Sequence, residues 1–304
     1  MFQLGELLAG SAAQAPVVIS VGEEEFTAIA HDSRNVVGGE FFVAIRTATG
    51  DGHSYIGEAF ARGATGFLVD RSIEGLAPWS EAGWGGRAPT VVRVASCREA
   101  LVEWAAKRLE RTELVVVGGS LGKSTAQAAI RAAWAAECGQ QVVGNGDRND
   151  SLGIPIALAS GPLHPSRAVL EVAAADGREE RLLARMLNPR VVCVTTTVDA
   201  GALHWRSPAA LADQMGALLP GGATLVLPVS DSVLQRRFKE HLQVTFGGLG
   251  SGATVQVGPQ DIEGRWPGRW RCLVLIGTGR WELPARLHPV VGPPAWGAAL
   301  ASLL

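Results

Sequence analysis

The sequence predicts an α/β fold, with a small N-terminal α/β domain followed by a central domain whose mostly parallel sheet is flanked by helices. Short runs rich in Val and Leu, without polar alternation, alternate with helical segments in the second half, as is typical of buried parallel strands. The 304 residues are 47% hydrophobic, which is enough for two domains with separate cores. At residues 114–134, a glycine turn joins one apolar strand to a helix.

The N-terminal elements are the predicted strands "FTAIA", "FFVAI" and "GFLVD" and the helical segment "SYIGEAFARGA". A connection rich in Gly, Pro and Trp follows. It leads to the strand "TVVRVA" and the helix "REALVEWAAKRLERT", whose apolar positions repeat at helical spacing. The predicted boundary lies just after that helix, which gives domains 1–112 and 113–304.

The second domain repeats a strand and a helix several times. Its predicted strands are "ELVVVG", "QQVVG", "RAVLEVAA", "RVVCVTT" and "GATLVLPV". The tail segments "ATVQVGPQDIEG" and "WRCLVLIGTGRWELPA" predict antiparallel hairpins.

Composition excludes several classes of partner. A net charge of -2 and a pI near 6.3 provide no broad basic field, so we do not expect nucleic acid as a partner. The sequence has neither an apolar stretch of about 18 residues nor a basic N-terminal start, which predicts a cytoplasmic protein without a membrane partner. The four cysteines are far apart and form no CxxC pair, which predicts buried free thiols.

The segment "LVVVGGSLGKSTAQ" predicts a phosphate-binding loop, because glycines let the backbone N–H groups face phosphate oxygens at a helix N-terminus. Lys123 would reach the β and γ phosphates, and Ser124 or Thr125 would hold Mg²⁺. The standard pattern GxxxxGK(S/T) requires glycine at Val117, so it fails by one residue. The hypothesis is ATP binding, and the alternative is a chance glycine turn.

The variant "GGSLGKST" resembles the shorter phosphate loop of the Mur ligases, which usually reads TGSxGKTT. The segment "HDSRNVVGGEFFVAIRTATGDGHSYIGEAFARGATGFLVD" resembles that family's UDP-sugar-binding domain, and "GDRNDSLGIP" is similar to its GNxNNxIGxP. The segment beginning "AVLEVAAADGREERLL" also resembles the family. These similarities run in order from about residue 30 to about residue 300, and they favour the ligases that add D-alanyl-D-alanine.

The resemblance implies that the first domain binds the uridine nucleotide end of a UDP-muramoyl tripeptide. The matching positions are Asp32, Ser33, Arg34, Asp51, Gly52 and His53. Arg34 can form paired hydrogen bonds with a phosphate, and Asp or Ser can bind uracil or ribose edges. Without the family pattern, a capped surface turn is the favoured interpretation of residues 32–34.

The resemblance also implies a central domain that binds ATP and Mg²⁺. Mur ligases transfer the γ-phosphoryl group of ATP to a carboxylate, and an incoming amine then displaces phosphate. The implied nucleotide-binding residues are Gly119, Ser120, Gly122, Lys123, Ser124, Thr125, Asn149 and His288; the implied catalytic residues are Lys123, Glu171 and His204. Ser124 and Glu171 are the implied Mg²⁺ ligands, since Glu171 ends a predicted parallel strand. An ion pair between Glu171 and an arginine is the alternative.

Several family positions are changed. The metal-binding histidine of the family falls on Ala202, and His204 either takes its role or is an exposed loop residue. The lysine that forms a carbamate in the family is replaced by Met215, which cannot form one, and Asp213 faces elsewhere on the same helix.

The family's asparagines are also partly lost. Asp147 and Asp150 replace two of them, while Pro289 and Gly292 replace the pair that faces the nucleotide base in the family. The family pattern continues into a Rossmann-like third domain, which these 304 residues do not include. Either the sequence is part of a longer chain, or another chain supplies the third domain, or the protein works without it.

Two functions remain. The first is ATP-dependent ligation of D-alanyl-D-alanine to a UDP-muramoyl tripeptide in peptidoglycan precursor synthesis, with a third domain supplied in trans if one is needed. The second is a catalytically degenerate module that binds nucleotide or UDP-sugar and regulates or scaffolds a complete ligase. A P-loop kinase or GTPase is not favoured, because the sequence shows no base-specifying motif.

Overall fold

The computed structural model describes residues 2–47, 50–74, 88–139, 142–173, 176–198, 207–263 and 269–285. The chain divides into two compact units, Met1–Arg111 with Ser151–Pro165, and Thr112–Asp150 with Ser166–Leu304. Both contain mixed α/β structure with mostly parallel sheets and helices. The predicted α/β fold class is therefore confirmed.

The first unit is built on a five-stranded sheet. Its elements are β1 (Phe2–Gln3), α1 (Leu4–Gly10), β2 (Val17–Ser20), β3 (Glu25–Phe26), β4 (Ile29–Ala30), β5 (Phe41–Val43), α2 (Ile56–Ala61), β6 (Gly66–Val69), β7 (Thr90–Arg93) and α3 (Cys97–Leu109). The strand order is β2-β7-β6-β5-β4, in which only β2 runs antiparallel to its neighbour. The turns that follow β4, β5 and β6 therefore lie at one edge of the sheet.

The first unit also includes a later helix. In chain order, α4 (Lys123–Cys138) belongs to the second unit, whereas α5 (Gly153–Ala159) lies in a segment of the first. The buried guanidinium of Arg108 donates to Glu6 at 2.9 Å and to the carbonyl of Pro162 at 2.8 Å. Burial lowers the pKa of Arg108. Each predicted domain is one continuous stretch, whereas the compact units are not.

The second unit is built on an eight-stranded sheet. Its further elements are β8 (Glu113–Gly118), β9 (Arg167–Glu171), α6 (Gly177–Met186), β10 (Val191–Val194), α7 (Pro208–Ala217), β11 (Thr224–Pro228), α8 (Ser232–Arg237), β12 (Gln243–Gly247), β13 (Val255–Glu263), β14 (Arg269–Ile276) and β15 (Gly279–Ala285). The order is β15-β14-β13-β12-β11-β10-β8-β9, parallel from β9 to β13. The antiparallel pairs β13-β14 and β14-β15 confirm the predicted hairpins.

One hydrophobic cluster of the second unit includes residues of its sheet and of α4. Ala126, Ile130 and Trp134 recur at helical spacing and pack in one cluster with Val115 and Val117 of β8. Residues 114–118 of β8 are all buried, which explains why the strand lacks polar alternation.

Cys97 and Cys193 are free and buried, as predicted. Burial raises the pKa of the Cys97 thiol. The side chains of Cys138 and Cys272 lie outside the described residues. Within the part of the chain that the structure describes, every helix is too short or too polar to cross a bilayer.

Candidate functional site

The glycine loop connects the end of β8 to the start of α4. Gly119 and Gly122 have φ angles of +129° and +78°, a region that favours glycine. A β-carbon on Gly119 would collide with Thr195 Oγ1, and one on Gly118 would collide with Met215 Sδ. The loop conformation therefore depends on these glycines for both backbone angle and space.

The segment that follows β10 holds this loop in place. The backbone N–H of Ser120 donates to the Thr196 carbonyl at 2.8 Å, and its hydroxyl reaches the same oxygen at 3.1 Å. Thr195 donates from its backbone N–H to the Gly118 carbonyl at 2.9 Å and from its hydroxyl to the Leu121 carbonyl at 2.6 Å. The buried Ser120 side chain thus stabilises the loop itself.

The loop ends at a helix N-terminus suited to an anion. Gly122 is the N-cap of α4 and carries no side chain, so it cannot itself cap the first-turn N–H groups. These groups and the helix dipole favour negative charge. Lys123 is half-buried, while Ser124 and Thr125 are exposed in the first turn.

Glu171 lies beside this helix N-terminus because β9 pairs with β8, with Glu171 opposite Val117. Glu171 is 3% exposed, and its carboxylate accepts two hydrogen bonds. The Ser124 hydroxyl donates to Oε2 at 2.7 Å, and Asn149 Nδ2 donates to Oε1 at 2.9 Å. The described partners are thus a hydroxyl and an amide rather than the arginine of the alternative interpretation.

This pair of groups suits a magnesium ion that is also bound by phosphate. Mg²⁺ prefers oxygen ligands and is usually held by one or two carboxylates together with substrate phosphates and water. Ser124 and Glu171 supply a hydroxyl and a carboxylate 2.7 Å apart. Among the described residues, no group of three or more His, Cys, Asp or Glu side chains could hold a metal ion. The donor set therefore fits Mg²⁺ only in company with a nucleotide.

In the first unit, residues 32–34 form the capped turn that the alternative interpretation predicts. Asp32 accepts from the Arg34 backbone N–H at 3.0 Å and from its guanidinium NH2 at 2.6 Å. These hydrogen bonds lower the pKa of Asp32 to about 2. Ser33 is buried and donates to Glu58 at 2.9 Å, whereas the Arg34 side chain is 78% exposed. Arg34 is thus the member of this group most open to a ligand.

The turn at residues 51–53 is held by a buried histidine. His53 is 0% exposed, its Nδ1 lies 2.7 Å from Asp51 Oδ1, and its Nε2 accepts from the Asp70 backbone N–H. Asp51 also pairs with Arg71 at 2.9 Å, and its pKa is lowered by hydrogen bonds from His53 against the opposing effect of desolvation. A β-carbon on Gly52 would lie 2.7 Å from the Ile45 nitrogen. In this conformation, His53 and Gly52 shape the turn, and Asp51 is its half-buried polar group.

Comparisons with known proteins show which enzymes this chain is similar to. The chain is 28% identical over 227 residues to the UDP-N-acetylmuramoyl-tripeptide--D-alanyl-D-alanine ligase of Synechocystis sp., covering 72% of this chain and 48% of that protein. The Bacillus subtilis ligase of the same name is 29% identical over 169 residues, which are 55% of this chain and 35% of that protein. The chain is thus similar in sequence to ligases that add D-alanyl-D-alanine, over as much as 72% of its length.

Solved structures agree on the fold. A crystal structure of MurF from Acinetobacter baumannii matches with a TM-score of 0.77 and 19% identity over 99% of this chain and 65% of that one. MurF from Thermotoga maritima in complex with ADP matches with a TM-score of 0.68 and 18% identity over 91% of this chain and 61% of that one. The chain spans about half the length of the Synechocystis relative, and no protein-family model matches it.

Met215, the residue predicted to replace the carbamate-forming lysine, makes an apolar contact in the structure. Met215 is 1% exposed on α7 and lies against Gly118. Asp213, two residues earlier, is instead exposed and accepts from Arg237 Nε at 2.7 Å. The structure therefore brings no acidic group from this part of α7 to Gly118.

Part of the predicted MurF-like site falls outside the described residues. These positions are Ala202, His204, His288, Pro289 and Gly292. Their predicted roles in metal or nucleotide binding remain predictions. Among the described positions, the structure brings together Ser124, Asn149 and Glu171 at the loop.

Sequence reasoning missed three polar residues that support this site: Gln127, Asn145 and Asp231. Gln127 is buried and lies at helical spacing with Ile130 and Trp134, so a polar residue on an apolar helix face was the available signal. Asp231 is 7% exposed and accepts from the Thr197 backbone N–H at 2.7 Å and its hydroxyl at 2.8 Å. Asn145 and Asp231 lie between regular elements, where no apolar periodicity in the sequence would predict that they are buried.

Proposed function

We propose that this chain binds MgATP at the glycine loop and takes part in MurF-like ligation. The reaction joins D-alanyl-D-alanine to a UDP-muramoyl tripeptide through an amide bond. The observation that carries the proposal is the 2.7 Å contact between the Ser124 hydroxyl and Glu171, next to an N-terminus of α4 that favours anions.

The residues of the second unit would neutralise the charge of the triphosphate. The backbone N–H groups of the loop would donate to phosphate oxygens, and Lys123 would approach the β and γ phosphates. Ser124 and Glu171 would hold Mg²⁺, which offsets phosphate charge when bound. ATP supplies the phosphoryl group that activates the substrate carboxylate, and the amine of D-alanyl-D-alanine then displaces phosphate.

Polar groups of the first unit, the exposed Arg34 and the half-buried Asp51, would bind the uridine end of the precursor. Arg34 is exposed and its guanidinium now pairs with Asp32, so it could exchange this partner for a phosphate. Asp51 is held by His53 and Arg71. Such a set offers both a cation and acceptors for a uridine diphosphate. Binding of a cytoplasmic precursor would also agree with the predicted cytoplasmic location.

Binding and turnover measured separately test this proposal. Calorimetric titration with MgATP and with a UDP-muramoyl tripeptide measures binding, and phosphate release with D-alanyl-D-alanine measures turnover. We expect Lys123→Ala to abolish steady phosphate release. Lys107→Ala is the matched control, because Lys107 is 63% exposed on α3 and pairs with Glu110. Binding of both ligands without any turnover would overturn the ligase proposal for this chain by itself.

A second candidate is a catalytically degenerate module that binds UDP-sugar or nucleotide and regulates or scaffolds a complete ligase. Met215 favours it, because a buried thioether against Gly118 cannot supply an anionic metal ligand. This module predicts ligand binding without phosphate release, and a change in the activity of a complete MurF on mixing. If a protein that carries the third domain restores turnover, the chain is instead one part of a split ligase.

A further inference from the structure

The side chain of Asn145 forms hydrogen bonds with both main-chain polar groups of Glu171. The Glu171 backbone N–H donates to Asn145 Oδ1 at 2.8 Å, and Asn145 Nδ2 donates to the Glu171 carbonyl at 2.7 Å. Glu171 is the last residue of β9, which is the terminal strand of the sheet order. The amide therefore satisfies the Glu171 N–H and C=O groups on the open side of this strand.

The preceding residues explain how Asn145 reaches this position. Val143 forms a parallel bridge with Ala168, and the Val169 N–H donates to the Val143 carbonyl at 2.8 Å. Two residues later, the side chain of Asn145 continues this pairing at Glu171. A short piece of chain thus acts as a partner for β9 up to the residue that carries the carboxylate.

The orientation of the Asn145 amide is fixed by its remaining hydrogen bonds. Oδ1 also accepts from Gln127 Nε2 at 2.6 Å, and Nδ2 also donates to the Arg148 carbonyl at 2.8 Å. Both acceptor and donor capacities of the amide are therefore used. Because the residue is 4% exposed, exchange of these partners for water would require the site to open.

The same amide also ties down the turn that carries Asn149. The Arg148 N–H donates to the Asn145 carbonyl at 3.1 Å, and the Arg148 carbonyl accepts from the Asn145 side chain. Asn149 follows directly and donates to Glu171 Oε1 at 2.9 Å. Asn145 therefore fixes both the backbone of Glu171 and the turn whose amide orients its carboxylate.

We propose that Asn145 is a positioning residue that sets the Glu171 carboxylate, opposite Ser124, for a nucleotide-bound divalent cation. The proposal rests on the proposed function of the loop and deepens it. Asn145 acts through Glu171 and contacts neither nucleotide nor metal. Partners that orient a metal ligand typically change metal affinity by about 10- to 100-fold when they are removed.

Asn145→Asp is the sharpest variant, because it keeps the shape and replaces the donor Nδ2 by an oxygen facing two carbonyls. Titration calorimetry with ADP, with and without Mg²⁺, gives the factor by which the metal strengthens nucleotide binding. We expect this factor to fall about tenfold or more, with metal-free ADP binding nearly unchanged. Asn188→Asp is the matched control, because it adds the same charge at an exposed position of the second unit.

A purely structural role would weaken ADP binding equally with and without Mg²⁺, or lower only the melting temperature, and either result would overturn the proposal. If Asn145→Asp does not fold, Gln127→Met provides the second test, since it removes the donor to Asn145 Oδ1 and leaves Asn145 in place. If Gln127→Met folds and Mg²⁺ strengthens its ADP binding by the same factor as in the unaltered chain, the proposal is overturned. Absence of nucleotide binding by the unaltered chain would overturn the proposed function itself.

Discussion

The sulfur of Met215 occupies the space beside Gly118 in which a β-carbon would have to lie. This contact joins α7 to the end of β8, where the glycine loop begins. Met215 therefore packs against the start of the glycine loop, and its thioether has no oxygen with which to coordinate a metal. The contribution of Met215 to the stability of the loop can be measured separately from the loss of a metal ligand at this position.

Truncation of Met215 should destabilise the second unit. Met215→Ala leaves a cavity at a residue that is 1% exposed, so the free energy of unfolding should fall by about 2–5 kcal/mol. Met186→Ala is the matched control, because Met186 is 2% exposed on α6. Urea unfolding should show similar losses for both, whereas ADP titration should show weaker binding only for Met215→Ala. Equal ADP affinities would show that Met215 does not support the loop.

Gly52 should tolerate no side chain. A β-carbon there would lie 2.7 Å from the Ile45 nitrogen and 2.9 Å from its oxygen, so Gly52→Ala should cost about 1–3 kcal/mol. Gly57→Ala is the control in helix α2, where the added methyl meets open space and should stabilise the helix by about 0.5–1 kcal/mol. Thermal unfolding of the two variants should move in opposite directions. A neutral Gly52→Ala would contradict the packing at this turn.

Asp231 should stabilise the segment at Thr197 as well as the helix that it caps. It accepts from the Val233 and Leu234 N–H groups of α8 and from the buried Thr197 N–H. Asp231→Ala should therefore reduce the free energy of unfolding by about 2–4 kcal/mol, through a lost cap and an unsatisfied N–H group. Asp176→Ala removes a similar but exposed cap of α6 and should cost less in chemical denaturation. Equal losses would mean that the Thr197 contacts contribute nothing.

Asp32 should titrate far below an ordinary aspartate. Hydrogen bonds from Arg34 lower its pKa from 3.8 to about 2, so the native state binds this proton more weakly than the unfolded chain. The resulting stability is present above the ordinary pKa and is lost as the pH falls toward 2. Carboxyl NMR titration should show the pKa rising toward 3.8 in Arg34→Gln. Arg62→Gln, which removes only the pair with Glu58, should leave it unchanged.

Local sequence patterns were sufficient for much of the fold. The apolar runs around Val115 and Val169 predicted buried parallel strands, because a strand covered on both faces has no polar positions. The loop glycines were also predictable, because a strand, a tight turn and a helix start are adjacent in sequence. The placement of α5 in the first unit was not predictable, since it depends on contacts such as those of Arg108 with Gly161 and Pro162.

The sequence by itself determined the α/β class, the glycine loop with Lys123 and Ser124, and the resemblance that marks Glu171. These features are set by residues adjacent in the chain or by local periodicity. Only the tertiary structure decided that Ser124 and Asn149 share the Glu171 carboxylate, that Asn145 holds its backbone, and that Met215 fills the space at Gly118. Such contacts join residues from different strands and helices, so their geometry is fixed by strand register and helix packing, which no single segment encodes.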